Sequence, residues 1–63
     1  MNRTYDLFEK LDGHMLWRGS VTGLEAGRKM VLDLAKQTGN ECLLMHVLTR
    51  EVIERVTANE HES

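Results

Sequence analysis

Two segments near the amino terminus, Tyr5 to Leu11 and Met15 to Val21, mix aromatic and aliphatic side chains with polar ones, and Asp12-Gly13 stands between them. Asp-Gly suits a tight turn because both residues tolerate positive φ, so the segments predict a β-hairpin. Two registers are open. A two-residue loop sets Phe8 opposite Trp17 and Glu9 opposite Leu16, whereas a type I turn with a bulge at Gly13 sets Leu7 opposite Trp17 and Asp6 opposite Arg18. The second is preferred, because it gathers Tyr5, Leu7, Met15 and Trp17 on one face and pairs opposite charges across the strands.

The period then changes. From about Gly23 to Thr38, at 100° per residue, Leu24, Gly27, Met30, Val31, Leu34 and Ala35 fall on one stripe and Glu25, Lys29, Asp33 and Lys36 opposite, which predicts an amphipathic helix. Val21-Thr22-Gly23-Leu24-Glu25 reads as a capping box, with the Thr22 hydroxyl on a free amide of the first turn, Glu25 reaching back to the Thr22 amide and Val21 as hydrophobic staple. Gly39-Asn40 supplies a left-handed stop. Gly27 lies within the apolar stripe, where glycine costs roughly 1 kcal/mol relative to alanine, so its expected use is close approach to a bulky sheet residue such as Trp17. Leu32 points off the stripe.

Glu41 to Leu48 is apolar on both alternations: Cys42, Leu44 and Leu48 with His46 on one side, Leu43, Met45 and Val47 on the other. Such a strand needs cover on both faces. In Glu51 to Val56 the spacing of Val52, Ile53 and Val56 fits a helix, but β-branched residues favour a strand, and the strand is chosen with Leu48-Thr49-Arg50 as the turn before it. The outcome is an α+β two-layer ββαββ domain over residues 1–58: a four-stranded, mainly antiparallel sheet with one helix on one face, followed by a frayed polar tail at 59–63. Strand order and the face under the helix stay open.

Size makes the uncovered face matter. At 63 residues the chain buries only about 60% of its unfolded surface as a monomer. Cys42 is the only cysteine, so no disulfide can form within the chain. A second copy is the simplest supply of a second layer, which predicts a homodimer, or an unidentified protein partner, on a face carrying Phe8, Leu16, Leu44 and His46. The longest apolar run, Cys42 to Met45, falls far short of the roughly 20 residues of a membrane span. The first residues carry no apolar signal core, so the cytoplasm is the expected compartment.

Few residues offer candidate chemistry. Cys42 and His46 share a strand face but are about 13 Å apart along it, too far to share an ion, and His14 and His61 lie elsewhere in the sequence. No base stands beside Cys42 in the pattern to activate it as a nucleophile. The glycines match neither phosphate-binding fingerprint, and Glu25, Asp33, Glu51 and Glu54 read as solvent-facing. No metal, no cofactor and no catalytic residue is expected, and the chain is read as a non-enzyme. Arg28, Lys29 and Lys36 around Leu32 form a candidate patch for an anionic partner, which makes a small regulator contacting nucleic acid the alternative function. Against it stand the net charge of -2 and the positions of Glu25 and Asp33 four residues from Lys29. A small-ligand pocket at a dimer interface, built from Tyr5, Phe8 and Trp17, is a third reading from another class.

The run Tyr5-Asp6-Leu7-Phe8-Glu9, then Trp17-Arg18-Gly19 and the helix start Gly23-Leu24-Glu25-x-Gly27, resembles small bacterial proteins of strand-strand-helix-strand-strand form. The resemblance covers about the first two thirds of the chain and rests on structural motifs. It implies a strand for the carboxy-terminal segment, although no glycine stands in the Thr49-Arg50 turn, and it implies no activity and no site residues.

Overall fold

The computed structural model describes residues 3–57, so the tail expected at 59–63 lies outside the described residues. The elements run β1 (Thr4–Leu11), β2 (His14–Thr22), α1 (Leu24–Thr38), β3 (Cys42–His46) and β4 (Val52–Val56). The strands make one open sheet in the order β2-β1-β3-β4, each neighbouring pair antiparallel. The fold is therefore α+β, ββαββ. Because β2 and β3 both run antiparallel to β1, they are parallel to each other, and α1 is the crossover that parallel strands require.

The β1–β2 turn corrects the preferred hairpin register. Asp12 (φ 52) and Gly13 (φ 81) are both left-handed, the signature of a two-residue type I′ loop, and Phe8 pairs with Trp17 and Glu9 with Leu16. Between Leu7 and Phe8 the register then slips: Leu7 pairs with Gly19 and Tyr5 with Val21, leaving Arg18 as the extra residue of a β-bulge. The turn register alone separates the residues the pattern had grouped, and the bulge then displaces Arg18. Tyr5 and Leu7 are buried, whereas Met15 and Trp17 are exposed, and Arg18 approaches Glu9 instead of Asp6.

Helix α1 starts by a different device from the capping box. Thr22 is still in the sheet, paired with Thr4, and no side chain caps the helix. Gly23 (φ 100) is the cap residue: its amide donates to the Arg3 carbonyl at 2.8 Å and its own carbonyl accepts from Gly27 at 2.9 Å. A strand running directly into a helix leaves Thr22 no freedom to turn its hydroxyl onto the first turn. The stop is as expected, with Gly39 left-handed (φ 74) and its amide on the Ala35 carbonyl at 2.8 Å.

The helix turns Gly27, Val31 and Ala35 onto the sheet. The residue that approaches Gly27 is Leu44, not Trp17, which lies on the other side of the sheet. Leu32, expected off the stripe, packs against the core, while Leu24 and Met30 at the margins are exposed. Arg28, one turn before Leu32, meets Glu54 of β4 at 3.3 Å. The core is Tyr5, Leu7, Val31, Ala35, Cys42, Leu44 and Val56.

Both remaining connections are held by polar groups. After α1, Asn40 donates from Nδ2 to the buried Glu9 carboxylate at 2.6 Å, and its amide donates to Thr38 Oγ1 at 3.2 Å. After β3, Arg50 itself adopts the left-handed conformation (φ 62) for which a glycine was missed, with its amide on the His46 carbonyl at 2.8 Å. The His46 amide in turn donates to the Glu51 carbonyl at 2.9 Å, closing the turn.

Candidate interaction face

Strand pairing sorts the side chains of the sheet into two faces. Tyr5, Leu7 and Glu9 pair with His46, Leu44 and Cys42, and this face carries the core under α1. The alternate positions, Asp6 and Phe8 paired with Met45 and Leu43, point the other way. Trp17 joins them through Phe8, Val52 through Met45, and Val47 continues their alternation. No described element lies over this second face.

Its make-up is unusual for a surface. Leu43 is only 4% exposed yet lies outside the helix-side core cluster, being flanked on its own face by Phe8 and Arg55 across the strands. Trp17 is 62% exposed, and its Nε1 donates to Asp6 Oδ1 of β1 at 3.1 Å. A hollow of about 310 Å³ opens at Asp6 on this face, lined by Asp6, Phe8, Met45, Val47 and Arg50. Arg55 and Glu41 pair at 3.0 Å on the same face, whereas Arg50 makes no ion pair among the described residues.

Of the residues expected to share an interaction face, only Phe8 lies here. Leu44 and His46 are buried on the helix side, and Leu16, paired with Glu9, is exposed on that side near the hairpin tip. Glu41 to Leu48 was apolar on both alternations, and the set that faces out is the other one: Leu43, Met45 and Val47. The two-residue hairpin register, which places Phe8 beside Trp17, was the signal for this face. Arg50 carried no signal at all.

The candidate anionic-partner patch is also rearranged. Leu32, its expected centre, is drawn into the helix–sheet interface, and Arg28 is engaged by Glu54. Lys29 and Lys36 are exposed, and no ion pair joins Lys29 to Glu25 or Asp33 among the described residues. On the helix side a second hollow, about 270 Å³, lies between α1 and the β1–β2 hairpin and is lined by Leu7, Arg18, Met30, Asp33, Leu34 and Gln37.

The titratable groups of the core are engaged in structure. Burial pushes the Cys42 thiol above its ordinary pKa, opposed by a hydrogen bond with Thr38 and reinforced by the charge of Glu9. A buried thiol held protonated is a poor nucleophile. His46 sits at the far end of β3, its ring 5.4 Å from that of Tyr5 at 60° and its Nδ1 3.0 Å from Thr49 Oγ1. Among the described residues no three His, Cys, Asp or Glu side chains are grouped to hold a metal, and no helix is long and apolar enough to cross a membrane. The chain matches no family model, no curated protein and no solved structure.

Proposed function

We propose that this chain is a non-enzymatic, self-associating interaction module whose open sheet face pairs with the same face of a second copy. The observation that carries the reading is the row Phe8, Leu43, Met45 and Val47, with Trp17 beside it, on a face that no described element covers. The largest apolar patch on a monomeric protein, typically about 300–600 Å², is often functional.

The dimensions set the strength. Four strands spaced about 4.8 Å apart make a sheet roughly 19 Å across, and a five-residue strand is about 17 Å long, so the footprint is roughly 300 Å² before the longer hairpin extends it. That is small for a specific interface, and it favours weak, reversible association over an obligate dimer. Charge supports a second copy as the occupant. Arg55 and Glu41 neutralise each other within the chain, while Arg50, with no ion pair among the described residues, and Asp6 line one hollow of the face, so a two-fold axis can set Arg50 of one copy against Asp6 of the other.

Light scattering from about 1 to 500 µM, a span chosen to bracket micromolar affinity, is the test. The mass is expected to rise from that of the 7.2 kDa chain to twice that value. A monomer across the whole range overturns the proposal.

A further inference from the structure

Resting on that reading, we infer that Trp17 is the anchor of the interface and that the hollow lined by Asp6, Phe8, Met45, Val47 and Arg50 is its socket in the second copy. Three observations meet here. Trp17 is the only tryptophan of the chain and the most exposed aromatic on the open face, and large rings of this kind dominate binding energy when they enter a pocket. The Nε1 bond to Asp6 Oδ1 restrains the ring, so part of its side-chain freedom is already given up before binding. Finally, Asp6 lines the hollow, so knob and socket are neighbours on one face.

That adjacency is what a two-fold interface requires. An isologous contact brings residue i of one copy to residue j of the other and the reverse at once. An axis passing between Trp17 and its own hollow places each ring in the opposite hollow, making the same contact twice. The space is adequate: a cavity of roughly 150 Å³ accepts benzene, and this one is about 310 Å³. The socket is chemically suited as well. Phe8, Met45 and Val47 supply apolar and thioether contacts, and Arg50, free of any ion pair among the described residues, supplies a guanidinium for the face of the partner's Trp17. Leu48, the most exposed large apolar residue, lies outside this hollow and has no part in the contact.

The test is the concentration dependence of tryptophan emission, read beside sedimentation on the full chain. In the wild type, emission is expected to move to shorter wavelength over the same range in which the mass doubles. Trp17→Ala is expected to weaken association by about tenfold or more and Arg50→Ala by a smaller factor, with Leu48→Ala unchanged. Far-UV circular dichroism of each variant confirms the fold, which an exposed side chain does not hold together. A wild type that dimerises with unshifted emission, or a Trp17→Ala chain that dimerises as well as the wild type, overturns the anchor while leaving self-association standing. A wild type that never leaves the monomer overturns both.

Discussion

A methyl group placed on Gly27 would lie 3.0 Å and 3.1 Å from the two terminal carbons of Leu44, and 3.4 Å from Val21. Leu44 is fully buried at the centre of the sheet, so it has nowhere to retreat. Helix propensity favours Gly27→Ala by about 1 kcal/mol, but overpacking a tight core costs about 1–3 kcal/mol. The substitution is expected to lower stability by roughly 1 kcal/mol in urea denaturation. Leu44→Ala alone should cost about 2–5 kcal/mol, and the double variant less than the sum, because the new methyl occupies part of the cavity.

The start of α1 gives a paired prediction. Thr22 makes no cap, so Thr22→Ala is expected to change stability by less than about 0.5 kcal/mol. Gly23 holds φ 100 and ψ 134, a conformation that side chains resist, so Gly23→Ala is expected to cost about 1–3 kcal/mol. Thermal melts of the two variants separate a glycine entry from a threonine cap.

Asn40 ties the end of the helix to the sheet through the Glu9 carboxylate. Removing it leaves that buried group with Arg18 Nε at 3.6 Å as its remaining charged partner. Asn40→Ala is expected to cost about 1–3 kcal/mol, and Asn40→Asp more, since it sets a second carboxylate against Glu9. Equal stability of wild type and Asn40→Ala would remove Glu9 from the account of the fold.

Cys42 predicts a pH dependence. Its thiol titrates higher in the folded chain than in the unfolded one, because burial disfavours the thiolate. The folded state therefore holds its proton where the unfolded state releases it, and stability relative to Cys42→Ala should be constant below the ordinary thiol range. It should fall as pH rises beyond about 8.5. Alkylation of the native protein should be slow and become fast in denaturant.

Much of this fold was legible because each element had a local cause. The helix followed from its period, its end from Gly39, and the hairpin from Asp12-Gly13. What escaped were places where one local signal was answered by another. The turn set one parity, and the bulge at Arg18, which no hydrophobic pattern marks, reversed it below Phe8. In β3 both alternations are apolar, so nothing in the pattern distinguished Leu44 from Leu43; only pairing with Leu7 and Phe8 does. The capping box was present in letters, but Thr22 is held in the β2 ladder. Leu32 packs against the core, a tertiary outcome that propensity does not encode.

On the proposed function, two copies meet through the open sheet face and not through the helix side. Amide chemical shifts followed on dilution of isotopically labelled protein test it most directly. Changes are expected to concentrate at Phe8, Trp17, Leu43, Met45, Val47 and Arg50, with Val31 and Ala35 unmoved. Shifts gathered at Met30 and Leu34, or a spectrum unchanged across a dilution that spans micromolar affinity, would contradict it.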